Sequence, residues 1–484
     1  VIAWCCAAAL AGNADVGGYF RIAARPDLQG GSGRLGYWNL YGRLMNEGPY
    51  GMVELRYDLL DREPDSQRPW STVHVRLEGG SIANADPLNG SLTAYRVSQM
   101  YVRTGNVLLR DVTWQVGTQE FFFGDLGLYD FRPATLLFRT VGVSGRYDHG
   151  PLELLLAAGD NGFGQYGLAY SPIPTAAAAA RLRIVPGHLE LGGGAEGHYE
   201  PAVTGSRNAP YQTPGIGFED WVRGEVGERF VAENGAEQAP YFPDPIPRDA
   251  TSWAAVGNLG FGGAGPLVWN NFFVRYEAIH PQKTSEDTLL GQPLTLYVHD
   301  LTDQRTVLQL GDELQLRLIP KRLDAVLGGF WGDHRDRDDD LRPSDFDRTY
   351  GSQVTRLQVY VSPTAHVLLE NAVAREWSRN GNTYREHADS LFANTEGRPD
   401  TRGLETGDSD TRFTWQGKGG FVLNPLGPGV FVRPSLRFLY GVQYSSQNNA
   451  FGNAFVENVD QENAFGNVER HLHHLVSIET ETWF

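Results

Sequence analysis

Cysteine is almost missing from this chain. Its 484 residues contain two, Cys5 and Cys6, side by side near the start. Beyond them no disulfide framework and no thiolate metal site can be built. Methionine is scarce, at 3 residues. Basic charge falls short of acidic charge: 41 Lys and Arg stand against 58 Asp and Glu, a formal net charge of -17. Phosphate binding needs a basic face, so the balance speaks against a nucleic-acid partner. Beyond the N-terminus no apolar run reaches about 18 residues, so no transmembrane helix is expected. The G-x-S-x-G and H-E-x-x-H motifs of hydrolases are absent.

Glycine, at 58 residues, and aromatics, at 12%, are both plentiful. A chain of this length ordinarily divides into several soluble domains, and a single large barrel is the main exception. A mean hydropathy of -0.35 fits a membrane barrel. Only alternate residues of its strands meet lipid, while the others face a polar lumen. Acidic surface suits a protein standing among the anionic lipid heads of an outer membrane, bridged by divalent cations. Residues 1–14 read as the remnant of a secretory signal, with cleavage after Ala11 or Ala14. A lipid anchor at Cys5 or Cys6 and an ordinary N-terminal helix are the rival readings. No domain boundary follows, so residues 15–484 form one unit.

From Gly18 to Phe484 the dominant pattern is strand-like alternation. Val53, Leu55, Tyr57 and Leu59 alternate with Glu54, Arg56 and Asp58. Leu314, Leu316 and Leu318 alternate with Glu313, Gln315 and Arg317. Leu436, Phe438, Tyr440, Val442 and Tyr444 share a face opposite Arg437 and Gln443. Ala176 to Ala180 has helical propensity, but Arg181 to Val185 and a Pro-Gly turn follow, so it reads as strand. Some spacers are short, such as Pro186-Gly187. Others are long and polar: 201–250, 333–348, 379–411 and 445–470. Short turns at one end and long loops at the other are the signature of a transmembrane barrel. In the last strand Val476, Ile478, Thr480, Thr482 and Phe484 fall on one face, so Trp483 falls on the other. An aromatic carboxy-terminal residue is typical of barrels assembled into the bacterial outer membrane.

Several segments, in order along the chain, resemble the maltoporin family of carbohydrate-specific outer-membrane porins. They include Gly18-Tyr19-Phe20-Arg21, Arg43 to Glu47 followed by Val53-Glu54-Leu55, and Gly117 to Phe131 with Asp125 and Asp130. Arg181 to Gly197, Asn271 to Tyr276, Arg433 to Arg437 and the terminal Trp483-Phe484 continue the series. The resemblance implies an all-β transmembrane antiparallel barrel of about 18 strands with an inward-folded constriction loop. It also implies a homotrimer that passes saccharide solutes by passive diffusion, with no cofactor and no enzymatic chemistry. Such a protein is exported through the periplasm to the outer membrane of a Gram-negative-type bacterium.

Carried over by position, an aromatic path comprises Tyr19, Phe431 and Trp483, with Tyr50 in place of the family aromatic that strict register puts at Met52. A polar track and constriction comprise Arg21, Arg43, Glu54, Arg96, Asp125, Asp130 and Arg132. Aromatic faces take the C–H patches of a pyranose by dispersion, and charged groups exchange hydrogen bonds with its hydroxyl rim. Many weak sites in series permit conduction without trapping. Departures are visible. Phe123 replaces a track arginine, Arg132 a constriction tyrosine, and Ala255 an aromatic, with Trp253 two residues away. The 81–92 loop lacks the tryptophan that a neighbouring subunit would contribute. These departures open the alternatives of another saccharide or a non-specific pore.

Each feature has a plainer rival. The aromatics suit an interfacial girdle. Asp125 and Asp130 suit a glycosidase pair, although no partner pattern supports it. Asp333 to Asp340 is rich in oxygen ligands for calcium but lacks a helix–loop–helix site's glycine and glutamate. His471, His473 and His474 suggest a metal site without a third ligand. An outer-membrane phospholipase or secreted all-β glycosidase is the enzymatic alternative.

Overall fold

A computed structural model describes residues 12–29, 35–36, 38–61, 67–80, 95–162, 173–200, 250–280, 286–289, 292–295, 305–336, 348–378, 411–446 and 471–484. Residues 1–11, the 81–92 loop and the acidic stretch after Asp336 lie outside them.

The first strands are β1 (Ala14–Ala24), β2 (Tyr50–Leu60), β3 (Trp70–Gly80), β4 (Tyr95–Gly105), β5 (Val112–Phe122) and β6 (Thr135–His149). β7 (Leu152–Asp160), β8 (Pro174–Val185), β9 (Leu189–Glu200), β10 (Ala250–Ala264) and β11 (Leu267–His280) follow. A detached hairpin, β12 (Glu286–Leu289) with β13 (Gln292–Thr295), precedes β14 (Arg305–Ile319) and β15 (Leu323–Asp336). The chain ends with β16 (Arg348–Ser362), β17 (Ala365–Ser378), β18 (Thr411–Leu423), β19 (Ser435–Ser445) and β20 (Leu472–Trp483).

All but the hairpin join one antiparallel 18-stranded sheet. The sheet closes because β1 pairs with β2 on one side and β20 on the other, placing Tyr19 opposite both Met52 and Trp483. Closure leaves no edge, which is the condition for sheet backbone to sit in hydrocarbon. Turns of two or three residues follow β6, β8, β10, β14 and β16. At the other end, 11 to 49 residues separate consecutive barrel strands. The long polar spacers read from the sequence all lie at this end. Strand runs further into them than their composition suggests: Asp333 to Asp336 close β15.

The alternation has the sense the sequence implies. Leu55, Val116, Leu156, Val361, Phe438 and Val476 stand exposed on the outside. Glu153, Gln416, Gln443, Ser477 and Glu481 are buried on the inside. β8 contains Ala176 to Ala180 as strand, with Ala177 and Ala179 inward. An apolar exterior around a polar interior, with short turns at one end and long loops at the other, makes this a transmembrane barrel of the outer-membrane kind. Placing a cation on its outer face is costly near the bilayer midplane. Leu156→Arg is expected to lower folding stability by about 2–4 kcal/mol, measurable by denaturant unfolding from lipid vesicles.

Candidate functional site

Two segments fold inward from the long-loop end. The first, residues 35–49, includes the short helix α1 (Trp38–Tyr41). Its Leu35, Leu44 and Met45 pack on Leu368, Val422, Leu439 and Leu475 of the inner wall. Gly441 leaves room for this approach: a Cβ there would stand 2.8 Å from the Met45 sulfur and push the side chain aside. Polar groups fix the segment: the Tyr41 hydroxyl donates to Glu376 at 3.1 Å, and Asn46 donates to Gln416 at 3.0 Å. Lys418 is wholly buried, donating to the Tyr41 carbonyl and pairing with Glu370, both at 2.9 Å.

The second segment, residues 123–134 between β5 and β6, crosses the lumen. Phe123, Leu126, Leu128 and Tyr129 are fully buried. At the far wall Glu313 accepts the Leu128 N–H at 2.8 Å, and the Tyr129 hydroxyl donates to the Gly328 carbonyl at 3.3 Å. Asn271 donates to the Asp125 carbonyl at 3.1 Å. At the segment's roots Arg181 and Arg275 donate to the carbonyls of Phe122 and Thr135. Glu196 accepts the Leu137 N–H at 2.5 Å. The two segments meet where the Arg43 N–H donates to the Leu128 carbonyl at 2.8 Å. The inward loop expected from Gly117 to Phe131 is therefore shorter at its start, because Gly117 to Phe122 belong to β5.

Together the segments fill one side of the barrel. Inward side chains of Glu376 and Lys418, on β17 and β18, are 1% and 0% exposed. Inward Arg56, Arg96 and Arg146, on β2, β4 and β6, are 43%, 47% and 39% exposed. The open space is therefore eccentric and runs along the β1–β8 wall.

Three aromatics of the expected path come together where β20, β1 and β2 meet, at the edge of that wall. Tyr19 lies 5.8 Å from Tyr50 and 6.0 Å from Trp483, ring centre to ring centre. The Arg433 guanidinium covers Trp483 at 5.6 Å. Phe484 turns to the outer face and stacks on Phe20 at 5.8 Å. Phe431 is elsewhere, in the β18–β19 turn, where its ring packs against Gly127 of the crossing segment. Trp253 is 44% exposed and tilts against Tyr276 at 5.2 Å, on the face opposite buried Ala254. That face is the barrel's exterior and Ala255 shares it, so neither position lines the lumen and the aromatic expected there has no counterpart at either.

The charged candidates divide into two groups. Arg21 and Arg43 converge on Glu47 and Asp130, with Asp130 at 3.6 Å from Arg21 and 3.9 Å from Arg43. Arg43 also reaches Glu481 at 2.7 Å and the Tyr19 hydroxyl at 2.9 Å. Of the others, Glu54 with Arg76 and Arg96 with Glu78 at 3.3 Å are wall pairs, while Arg132 of the crossing segment reaches Glu120 of β5 at 3.7 Å. Arg132 also covers the Phe122 ring at 4.2 Å. Sequence reasoning missed Glu47, Glu481 and Arg433. Glu481 was within reach, since it shares the parity of Trp483. Of the histidines, His473 is buried against Asp27 at 3.1 Å and His471 lies 3.0 Å from the Ser445 carbonyl.

The two inward segments carry the titrating groups. Burial pushes the Glu47 carboxyl up to about 8, with Arg21 opposing and Asp130 reinforcing the shift. Burial also acts upward on Asp130, but Arg43, Arg21 and a hydrogen bond from Glu47 outweigh it and hold that carboxyl low. Asp125 is exposed to the lumen yet ringed by wall. Burial raises its carboxyl against the pull of Arg132, and Asp130 adds to the rise.

The chain matches no protein-family model and no curated protein. Among solved structures it is similar to the outer membrane channel DcaP of Acinetobacter baumannii, at 11% identity and a TM-score of 0.42, covering 76% of this chain and 92% of that one. It is also similar to OmpT of Vibrio cholerae, at 9% identity and a TM-score of 0.41, covering 98% of each chain. OprD of Pseudomonas aeruginosa shares 9% identity at a TM-score of 0.39, covering 98% of this chain and 95% of that one. These likenesses carry no information about which solute passes.

Two outcomes follow from the site. Lys418→Met removes a buried anchor of the first segment and is expected to raise single-channel conductance and current noise in planar bilayers. The raised Asp125 carboxyl is negative above its pKa and neutral below. Cation preference is therefore expected to fall as pH drops, beginning above the ordinary aspartate range. Asp125→Asn removes that step from a series of reversal potentials measured against pH.

Proposed function

We propose that this chain is a passive outer-membrane channel for saccharides, with the long-loop end outward. The observation that carries the reading is the clustering of half-exposed Trp483 with Tyr19 and the more deeply set Tyr50, beside Arg43, Glu481 and Asp130. A pyranose laid on such rings places C–H faces on apolar surface and hydroxyls against charged acceptors and donors. Glu54, Arg96, Asp125 and Arg132 would extend the polar track along the same opening, Arg21, being buried, would act only through Asp130 and Glu47, and Phe431 would meet a solute only beside Gly127. The departures from the maltoporin pattern favour a saccharide other than a maltodextrin. Assembly as a homotrimer belongs to the same reading.

Hydrolysis by an Asp125–Asp130 pair has little support, since Asp130 is committed to two arginines and Glu47. Purified protein in planar bilayers tests the proposal. Saccharides at millimolar levels or below are expected to block the current, whereas unblocked conductance would indicate a non-specific pore. Trp483→Ala is expected to raise the half-blocking concentration roughly 2- to 10-fold, as the loss of about 0.5–1.5 kcal/mol of aromatic contact implies. Ion conductance should stay close to wild type. Block unchanged by that substitution would remove the aromatic cluster from the path.

A further inference from the structure

We infer that the short-turn half of the passage contains an anion-binding stop built by Arg103 with Arg146 and Arg56, and that the channel favours saccharides bearing carboxylate, sulfate or phosphate groups. The inference rests on the channel reading above and names its solute class.

Arginines on the open wall are almost all matched by acids. Arg76 has Glu54, Arg96 has Glu78, and Arg181 and Arg183 share Glu153. Arg103 is held differently. Its Nε donates to Gln115 Oε1 at 2.7 Å, and its guanidinium lies 4.5 Å over the Tyr101 ring. Tyr101 is in turn stacked on His74 at 4.6 Å and 7°. Among the described residues no carboxylate forms an ion pair with Arg103. The other charges that act on it are the guanidiniums of Arg146 and Arg56 and the Tyr101 phenol.

Register explains the grouping. Arg103 faces Gln115 across β4 and β5, and Gln115 faces Ser144 on β6, two residues from Arg146 on the same inner face. Arg146 is tied on its far side to Glu153 at 2.6 Å and Asp148 at 3.8 Å, and Arg56 to Asp58 at 3.0 Å. Both remain substantially exposed to the lumen. A guanidinium positioned by stacking and one amide, rather than by a carboxylate, keeps its remaining donors for a planar or tetrahedral oxyanion. The chain as a whole is acidic, with 58 carboxylates against 41 cations, so this spot opposes the general sign. A solute leaving the aromatic cluster toward the short turns would pass it.

Trigalacturonate and maltotriose, compared as blockers of the full-length channel in planar bilayers, test the inference. Wild type is expected to be half-blocked by trigalacturonate at a concentration at least five-fold lower than by maltotriose. Arg103→Gln should raise the trigalacturonate value about ten-fold, shift the reversal potential in a KCl gradient toward cation preference, and leave maltotriose block unchanged. Arg103→Lys should retain part of the preference. Equal block of wild type by the two sugars overturns the inference even if Arg103→Gln does not insert. An Arg103→Gln channel with unaltered trigalacturonate block and reversal potential overturns it as well. Block by maltotriose without trigalacturonate preference would leave the channel reading standing and sink only this one, whereas a protein that conducts no ions defeats both.

Discussion

A sheet in hydrocarbon has to leave no unpaired edge, and in this chain that requirement is met at the seam between β1 and β20. The seam does more than finish the cylinder. Its register places Tyr19 against Trp483, and Glu481, one pleat further along the last strand, reaches Arg43 and the Tyr19 hydroxyl. The strand that completes the wall thus delivers both an aromatic surface and its charged neighbour. Arg433 and Arg437 gather on the same Glu481, so the carboxylate is enclosed by three guanidiniums. A buried anion is tolerable only with such company.

The second constraint is volume. An 18-stranded ring is wider than its own inward side chains can fill. Here the excess is taken up unequally. Residues 35–49 and 123–134 occupy the side bounded by β14 to β20, where Glu370, Glu376 and Lys418 are as dry as a protein core. The opposite wall carries pairs whose arginines, among them Arg56, Arg96 and Arg146, stay substantially exposed. Exposed pairs contribute little to stability; their importance lies in the field they set along the opening.

Much of the barrel could be read from alternation, because a wall between lipid and water imposes period two on every strand. The parity of β20 separated Trp483 from Phe484 by the same logic. The crossing segment was visible only through resemblance, with its first residues assigned to loop where β5 still runs. Of the first inward segment only Arg43 to Glu47 was singled out, again through resemblance, and its fold into the lumen was not. Leu35, Tyr41, Leu44 and Met45 form no periodic pattern, and they have partners more than 300 residues away on β17 to β20. Trp253 shows the converse failure. Its parity was known, but which face of β10 looked outward depended on neighbours the local sequence does not contain. Arg103 escaped notice because its distinction is the lack of an acid beside it, which only folded geometry defines.

The crossing segment is gripped chiefly through its main chain. Glu313 and Glu196 accept the N–H groups of Leu128 and Leu137, while Asn271, Arg181 and Arg275 donate to carbonyls. Main-chain grips do not depend on which side chains the segment displays. Residues at 125 and 132 can therefore be exchanged while the beam that bears them stays in place. The charge displayed along the opening can then be revised by mutation without dismantling the crossing that bears it.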